Sequence, residues 1–445
     1  MPSESPETGI LTFEQARHVI EQHAGRIPPP STETASMLSA WGRVLAGPIV
    51  ADRDFPPFDR AARDGYAVRA QDATSVPARL EVIGEIKAGD ANGALSVRAG
   101  QAAAIMTGAP LPAGANAVVM VEHTALLSDP NAAKAAASGW GTLSQGSRDE
   151  NTTTNKWVEI QRSVKAGENF VPRGSEARAG QILLERGSRL DHAGIAVLAS
   201  VGEATIQVFR KPRVAVLATG DEIVEIDRNP GPAQIRNSNT YSLAAQVQRA
   251  GAEAVLLPIA PDEKERLREL IHEGLDADLL ILAGGVSMGK HDLVEQVLGE
   301  LEAEFYFTGA LIQPGRPIVF GRCAPGRAGM SAPHKYFFGL PGNPVSTMVT
   351  FELFVRPMIE ALAGAKGQPL IFLKARLTSD VRTKTGLKRF LPALLSGEFE
   401  NADVELARWQ GSGDIAALAA SNCYLVVPPD RQQIAAGECV SVMMR

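Results

Sequence analysis

Five loops between residues 219 and 344 have the composition of a binding site for a charged ligand. Each is rich in Gly, Pro and Asp, poor in His and Cys, and predicted to follow a short apolar strand. The loops are Thr219-Gly220-Asp221-Glu222, Pro261-Asp262-Glu263, Gly284 to Asp292, Pro314-Gly315-Arg316-Pro317 and Leu340-Pro341-Gly342-Asn343-Pro344. In an open α/β sheet such loops gather at the carboxyl ends of the strands, where ligands bind. Bare backbone N–H groups suit an anion and carboxylates suit a hard cation, so the set indicates a nucleotide or oxyanion site.

The elements that would position these loops alternate between strands and helices. Strands are predicted at 214–217, 254–259, 279–283, 304–307, 318–320 and 336–338, and helices at 238–250, 262–273, 293–301 and 344–362. Such alternation is typical of a parallel, doubly wound α/β sheet.

The flanking sequence has a different texture. Helices are predicted at 12–24, at 31–45 and near 190–199, the first with Thr12 and Gln15 as a capping box. Residues 55–125 and 370–445 carry short β-type runs separated by Gly and Pro, which predicts two small β-rich modules. Residues 128–155 lack any hydrophobic period and are interpreted as an exposed, mobile insertion.

Composition argues against several classes of protein. A net charge of −6 gives no general attraction to nucleic acid or membranes, and the few aromatic residues give no base-stacking platform. The three cysteines form no CxxC pair, which fits a reducing cytoplasm. The acidic N-terminus lacks the apolar region of a signal peptide, and no apolar run approaches the ~20 residues of a membrane span.

Several blocks of the sequence resemble the MoeA family, the molybdopterin molybdenumtransferases. Residues 59–68, Asp-Arg-Ala-Ala-Arg-Asp-Gly-Tyr-Ala-Val, are similar to the family's D-x-S-A-M-D-G-Y-A motif. Residues 106–112 and 117–119 resemble its next block, and the loops at 219–222, 284–292, 314–317 and 340–346 resemble the remaining blocks in the family's order. The likeness spans about residues 11 to 440, and the ordered set of blocks is far more specific than any single one.

The resemblance implies an architecture and a reaction. It implies a multidomain α/β protein whose catalytic domain is similar to stand-alone molybdopterin adenylyltransferases. The implied domains are a discontinuous domain I (1–54 and 176–210), a β-rich domain II (55–175), an α/β molybdopterin-binding domain III (211–365) and a β-rich domain IV (366–445). The implied reaction takes adenylated molybdopterin and molybdate, releases AMP and leaves molybdenum bound to molybdopterin, with Mg²⁺ as the implied ion.

The resemblance also implies roles for acidic residues. Asp221, Glu222, Asp262 and Asp292 match the family's acidic cluster and would hold Mg²⁺ on phosphate oxygens. Glu222, Asp262, Asp292 and Asp64 are the implied catalytic residues, and Asp64 would reach the active site of the other subunit of a homodimer. Two local alternatives stay open, since Asp262 with Glu265 would also cap a helix and Asp64-Gly65 would also form a turn.

The remaining loop residues are implied to bind substrate. Gly284, Gly285, Ser287 and Gly289 would let the backbone approach phosphate. The implied substrate-binding residues are Thr219, Gly220, Asp221, Gly284, Gly285, Ser287, Gly289, Pro314, Gly315, Arg316, Pro317, Pro341, Gly342, Asn343, Pro344 and Ser346. For Asn343 and Ser346 the alternative is a turn followed by an ordinary first helical turn.

The sequence departs from the family's pattern at several of these blocks. Arg316 and Gln313 stand where relatives usually have Lys, and Glu176 stands where they usually have Asp. Pro392 occupies a position that is often Arg, for which Arg389 is a candidate substitute. Serines that relatives often have after Gly411-Ser412-Gly413 are missing, and Arg60 and Arg63 replace a small residue and Met.

Two other functions were weighed against molybdenum insertion. The chain could adenylate molybdopterin itself, but a lone adenylyltransferase has no counterpart of the blocks at 59–68 and 106–112. It could be a non-catalytic scaffold similar to the animal protein gephyrin, but the retained acidic residues favour catalysis. Implied partners are the second subunit, a molybdopterin adenylyltransferase and the molybdoenzymes that receive the cofactor.

Overall fold

The computed structural model describes residues 9–90, 95–127, 156–285, 293–324 and 334–445. The chain divides into two compact units. The larger unit comprises Met1–Gly47, Arg186–Ala196 and Ala204–Arg445, and the smaller one Pro48–Glu185 and Val197–Glu203. The predicted insertion 128–155 lies outside the described residues, and the four-domain division stays a prediction.

Helices concentrate in the larger unit. In chain order they are α1 (Phe13–Ala24), α2 (His192–Ser200), α3 (Asn239–Arg249), α4 (Lys264–Gly274), α5 (Leu293–Glu300), α6 (Pro344–Thr350), α7 (Arg356–Leu362) and α8 (Ile415–Ala419). A turn of π-helix, Phe351–Val355, joins α6 to α7. In the described part of the chain, no helix combines the length and the apolar character needed to cross a membrane.

Strands occur along the whole described chain. The first half contains β1 (Ile10–Leu11), β2 (Thr32–Ser36), β3 (Ile49–Val50), β4 (Arg60–Ala61), β5 (Gly65–Val68), β6 (Ala78–Ile86), β7 (Gln101–Ile105), β8 (Ala117–Met120), β9 (Thr124–Leu127), β10 (Lys156–Ile160), β11 (Phe170–Val171), β12 (Ile182–Leu184), β13 (Thr205–Phe209), β14 (Arg213–Ala218), β15 (Ile223–Val224) and β16 (Ile235–Arg236). The second half contains β17 (Glu253–Leu256), β18 (Leu279–Ala283), β19 (Glu304–Phe307), β20 (Gly309–Ala310), β21 (Ile312–Gln313), β22 (Val319–Cys323), β23 (Lys335–Leu340), β24 (Phe372–Leu377), β25 (Val381–Arg382), β26 (Lys388–Ser396), β27 (Asp403–Leu406), β28 (Cys423–Val427), β29 (Gln433–Ile434) and β30 (Cys439–Met444).

The α/β sheet of the larger unit has the strand order β17-β14-β18-β23-β22-β19. Side chains of β18 alternate between its two faces: Leu279 and Ile281 pack on one side with α1 and α3, and Leu280 and Leu282 on the other with α4 and α5. Helices therefore cover both faces, as expected for a doubly wound sheet whose strands read as continuous apolar runs. The predicted fold class is confirmed.

One strand departs from the predicted all-parallel sheet. β17, β14, β18 and β23 are parallel, whereas β22 is antiparallel to both of its neighbours. A parallel connection needs a crossover of about a dozen residues or more. Residues 324–334 join β22 directly to its neighbour β23, and a short connection of this kind suits an antiparallel pair.

The helix starts were predicted with mixed success. Thr12 caps α1, its hydroxyl accepting from Gln15 N–H at 3.2 Å while the Gln15 side chain accepts from Thr12 N–H at 2.9 Å, so the predicted capping box is confirmed. The predicted helix at 31–45 is wrong. That segment forms β2, which pairs antiparallel with β13, and a short 3₁₀ turn at Leu38–Ala40. The strand partner lies about 170 residues away, beyond any local signal.

Both predicted β-rich modules are confirmed. In the smaller unit a six-stranded sheet has the order β8-β5-β7-β6-β10-β9. At the C-terminus of the larger unit the order is β21-β26-β27-β24-β30-β28, and a further pairing of β26 with β28 closes this sheet on itself. A buried cluster that includes Leu391, Val404, Leu425 and Val442 fills its interior.

Candidate functional site

The loop after β14 is tied to two neighbouring strands by its backbone. Thr219 N–H donates to the Ala283 carbonyl at 3.2 Å, and Gly220 N–H donates to the Ala260 carbonyl at 3.1 Å. Gly220 has φ +135°, and a Cβ there would overlap the carboxylate of Glu222. The positive φ favours glycine at 220, whereas the flexible Glu222 side chain could move away from a Cβ.

Asp221 and Asp262 are brought together at this edge of the sheet. The Asp262 N–H donates to Asp221 Oδ1 at 3.1 Å, and both side chains are exposed. Helix α4 begins at Lys264 with Glu263 as its cap residue and no side-chain capping bond, so the predicted capping role of Asp262 is wrong. The carboxylate of Asp262 is thus not committed to the start of the helix.

The loop after β18 supplies closely approaching backbone. Gly284 N–H donates to the Leu340 carbonyl at 3.1 Å. Gly284 and Gly285 have φ +96° and +64°, and a Cβ at Gly285 would lie 2.7 Å from Thr219 Oγ1. That hydroxyl is buried and has no hydrogen-bond partner among the described residues. The rest of the predicted phosphate loop, including Ser287, Gly289 and Asp292, lies outside the described residues.

The loop after β23 links this edge to a neighbouring cleft. Asn239, the first residue of α3, donates from Nδ2 to the Gly342 carbonyl at 2.7 Å, while its buried Oδ1 has no partner in the part of the chain that the structure describes. Asn343 is the cap residue of α6 without a side-chain capping bond, and Pro344 occupies the first turn. No local pattern singles out Asn239, because its partner lies about 100 residues away.

A cleft of about 640 Å³ opens beside the same loop. Pro341, Asn343 and Ser346 form one wall. The other lining residues are Ile312, Gln313, Pro314, Gly315, Arg316, Pro317, Leu387, Trp409, Gln410, Gly411 and Ser412. Backbone contacts hold the walls together, since Val345 N–H donates to the Ser412 carbonyl at 2.9 Å. The cleft therefore lies between the α/β sheet and the C-terminal module, within one compact unit.

The Pro314–Pro317 loop reaches the cleft by a route that the sequence did not predict. It follows β21, which pairs with β26 of the C-terminal sheet and not with the α/β sheet. Gly315 has φ +102°, and a Cβ there would overlap the Thr350 methyl group of α6. Close packing of this glycine on α6 is what brings Arg316 to the same cleft as Ser346.

The cleft is suited to an anion. Arg316 is exposed in it, and the described lining residues include no carboxylate. The other polar groups are amides and hydroxyls from Gln313, Asn343, Ser346, Gln410 and Ser412, all of which can donate hydrogen bonds. The acidic pair Asp221–Asp262 does not line the cleft. The 340–344 loop lines the cleft through Pro341 and Asn343 and bonds to the loop after β18 through the Leu340 carbonyl.

Asp64 belongs to the smaller unit, where it joins two of the sequence blocks. Its Oδ1 accepts hydrogen bonds from Thr107 N–H at 2.6 Å and from the Thr107 hydroxyl at 2.8 Å. These bonds, first the backbone one and then that from the hydroxyl, lower the pKa of the exposed Asp64 carboxyl. The adjacent Gly65 is required because a Cβ would overlap the Val119 carbonyl oxygen of the neighbouring strand.

Two positions that the sequence comparison with the family motifs singled out contact each other. Arg60 Nη2 lies 3.0 Å from Glu176 Oε1 on the surface of the smaller unit. The longer acidic side chain at 176 and the arginine at 60 thus form one ion pair. The sequence alone gave no reason to connect these positions.

Family models match the chain in three consecutive segments. The MoeA N-terminal region, described as domains I and II, matches residues 11–202. A probable molybdopterin binding domain matches residues 215–361, and the MoeA C-terminal region, described as domain IV, matches residues 374–444.

Curated relatives and solved structures agree with these matches. A protein of Nostoc sp. named molybdopterin molybdenumtransferase is 36% identical, with the alignment covering 93% of this chain and 88% of the relative. A protein of the same name from Haemophilus influenzae is 32% identical, and the alignment covers 97% of this chain and 98% of the relative. The crystal structure of the MoeA molybdopterin biosynthesis protein from Pyrococcus horikoshii OT3 superposes with a TM-score of 0.71 at 27% identity, covering 98% of this chain and 100% of that one.

These matches run from the first helix to the last strands, and they include every described loop of the site. The resemblance of the motif blocks is thereby confirmed, and the chain belongs to the MoeA family.

Proposed function

We infer that the protein is a molybdopterin molybdenumtransferase, an enzyme of molybdenum cofactor biosynthesis. The observation that carries this inference is the 340–344 loop, which has the acidic Asp221–Asp262 edge on one side and a cleft of hydrogen-bond donors on the other. A reaction that cleaves a phosphoanhydride and transfers an oxyanion needs a site for a metal cation and a site for the anion. Membership of a family whose relatives carry this name points the same way.

We propose adenylated molybdopterin and molybdate as the substrates, with AMP as the leaving group. The exposed Gly285 presents bare backbone where a side chain would collide with the Thr219 hydroxyl, which suits a phosphate group. The cleft suits a tetrahedral oxyanion because Arg316 supplies positive charge and Ser346 and Ser412 supply hydroxyl groups.

Mg²⁺ is the proposed ion at the acidic edge. Within the described ranges, no three His, Cys, Asp or Glu side chains are arranged to hold a metal ion. Mg²⁺ does not need such a cage, since it usually keeps several waters and binds one or two carboxylates together with substrate phosphates. The exposed Asp221 and Asp262, with Glu222 beside them, fit that requirement. When bound, the ion would neutralise charge on the phosphate oxygens.

The chain's own residues would then orient the substrates. The hydrogen bond from Asp262 N–H to Asp221 Oδ1 holds the Asp221 carboxylate against the backbone of Asp262 before any ligand arrives. The loop at 340–344, held by Asn239, keeps a fixed spacing between the phosphate edge and the oxyanion cleft. Such preorganisation lowers the entropic cost of bringing two reactants together.

We further propose that the working enzyme is a homodimer and that Asp64 of one subunit serves the active site of the other. Two features of the smaller unit support a functional role. Asp64 is exposed, and Thr107 lowers the pKa of its carboxyl, so it is an anion at neutral pH. Its second oxygen would remain available to a ligand, because both hydrogen bonds from Thr107 go to Oδ1.

The test is AMP release from adenylated molybdopterin by the full-length protein, with and without molybdate and Mg²⁺. We expect release that needs both. Asp262→Asn should reduce the rate at least tenfold at fixed Mg²⁺, and the exposed Asp430→Asn serves as the matched control that should leave it unchanged. Asp221→Asn should keep the bond from Asp262 N–H, because the amide oxygen still accepts, while it weakens activation by Mg²⁺.

Absence of molybdate-dependent AMP release by folded wild-type protein would overturn the proposed reaction. Full activity of Asp262→Asn at limiting Mg²⁺ would overturn the assignment of the acidic edge alone. Sedimentation equilibrium tests the dimer, and complementation between an Asp64→Ala subunit and an Asp262→Asn subunit tests whether sites are shared, because a mixed dimer would then contain one intact site.

A further inference from the structure

A buried arginine stands directly behind the oxyanion cleft. Arg389, on β26, is only 6% exposed and lies opposite Gln313 of β21 in the parallel register of the two strands. Its Nε–H donates to Gln313 Oε1 at 2.8 Å, and its Nη1 donates to the Leu387 carbonyl at 3.0 Å. Both partners line the cleft, so the guanidinium contacts the wall of the cleft from the side that faces the protein interior.

The hydrogen bond from Arg389 fixes the orientation of the Gln313 amide. A guanidinium can only donate, so the amide end that faces it must be the oxygen. The NH₂ group of Gln313 is then turned away from Arg389, and among the described residues it has no hydrogen-bond partner. Without Arg389 the amide could rotate and present either its oxygen or its nitrogen to a ligand.

Among the residues that the structure describes, no carboxylate balances the charge of Arg389. Within the described part of the chain it forms no ion pair, although most of its surface is removed from water. A buried, unpaired charge is costly, and burial lowers the pKa of Arg389, yet a guanidinium stays protonated at neutral pH. An anion in the cleft on the other side of Gln313 would supply the missing compensation.

We propose that Arg389 is a positioning residue that holds the Gln313 amide with its NH₂ group toward the cleft, so that this position only donates to a tetrahedral oxyanion. The proposal rests on the proposed function and specifies how this chain binds the anion with a neutral glutamine at the wall of the cleft. Arg316 contributes charge from the exposed side of the cleft, and Arg389 contributes it through the oriented amide.

The test is the affinity of the full-length protein for molybdate, measured by isothermal titration calorimetry, together with the KM values for molybdate and for adenylated molybdopterin. Gln313→Glu places a carboxylate at this wall of the cleft. Because a carboxylate only accepts hydrogen bonds and repels an anion, this variant should weaken molybdate binding at least tenfold. Arg389→Met frees the amide and should weaken it about three- to tenfold. Both should raise the KM for molybdate and leave the KM for the pterin substrate unchanged.

A rescue separates positioning from general structural support. Lysine at 313 donates without needing an orienting partner, so Arg389→Met combined with Gln313→Lys should restore molybdate affinity to within about twofold of wild type. The control is Arg376→Met, which removes an exposed arginine paired with Asp403 in the same C-terminal sheet and should leave affinity unchanged. Thermal denaturation of each variant establishes that it is folded.

The outcomes distinguish this proposal from the proposed function. Wild-type affinity in Gln313→Glu and Arg389→Met, a folded Arg389→Met variant that Gln313→Lys fails to rescue, or no binding of molybdate by wild type would each overturn the positioning role. If the affinities change as expected while wild type releases no AMP, the proposed reaction fails and the anion site stands.

Discussion

The carboxylate of Asp64 accepts two hydrogen bonds from a single residue, Thr107, one from its backbone N–H and one from its hydroxyl. This contact joins the sequence blocks at 59–68 and 106–112, which are separate in the chain. It also sets the charge state of Asp64, because both bonds favour the ionised carboxylate.

Thr107→Val should raise the pKa of Asp64 part of the way toward its ordinary value of 3.8. The pKa should stay below that value, because the backbone N–H, the stronger contributor, remains. A group with a lowered pKa adds stability that is present above the unfolded pKa and is lost as the pH falls through the folded one. NMR titration of the Asp64 carboxyl carbon measures the shift, and Thr107→Ser, which keeps both donors, should match wild type.

Gly315→Ala should destabilise the wall of the cleft. The new Cβ would overlap the Thr350 methyl group, and φ +102° is strained for alanine, for a combined cost of about 1–3 kcal/mol. Adding Thr350→Ser removes that methyl group, keeps a hydroxyl for the bond to the Ser346 carbonyl, and should recover part of the loss. Urea denaturation followed by circular dichroism compares the variants, and equal midpoints for wild type and Gly315→Ala would contradict the packing described.

Glu352 is expected to be a strong determinant of stability. Its carboxylate is almost fully buried in the π-helical turn and is contacted by Gln246 Nε2 at 2.9 Å and by Arg249 and Arg356, each at 3.3 Å. Glu352→Ala removes an acceptor that all three share, although Gln246 keeps the Met348 carbonyl and Arg356 keeps Glu360, and it should cost about 2 kcal/mol. Glu269→Ala breaks an exposed pair with Arg266 and should cost less than about 0.5 kcal/mol, so similar losses in the two variants would refute the distinction.

His23 should make stability depend on pH. Its ring stacks on Tyr306 with centroids 3.9 Å apart, and burial, followed by the charges of Arg26 and Arg322, lowers its pKa below 6.5 against a smaller opposing effect of Glu304. As the pH falls, His23 therefore binds a proton in the unfolded chain at a higher pH than in the folded one. The free energy of unfolding should decrease as the pH drops from 6.5 through the lowered native pKa. His23→Phe keeps the stacking and removes the titration. Urea denaturation at pH 7.5 and 5.5 should show a smaller pH effect in this variant than in wild type.

The α/β sheet was predictable because its strands and helices are signalled locally. The run Leu279–Ala283 is predicted and observed with the same bounds, and its alternate residues pack on opposite faces. The loops that follow β14, β17, β18 and β23 could be assigned to one edge of the sheet by the rule for parallel strands. The reversed β22 could not, because strand direction depends on the connection and not on the strand's own composition.

The contacts that complete the site were beyond the sequence because they join distant residues. Gln313 meets Arg389 through the pairing of two strands that lie in different parts of the chain. Asn239 reaches Gly342 through the packing of a helix start against a loop. Neither of these two contacts is signalled by the residues next to it in the sequence. Gly220 and Gly315 are informative, because their backbone conformations favour glycine.

The closed C-terminal sheet has a consequence for the protein at high concentration. Because β26 pairs with β28 as well as with β27, these strands present no row of free N–H and C=O groups to another chain. Exposed sheet edges are templates for intermolecular strand pairing, and closure removes them. Strand-mediated aggregation should therefore begin at an open sheet edge, such as β17 of the α/β sheet. A charged residue introduced on β17 should improve solubility.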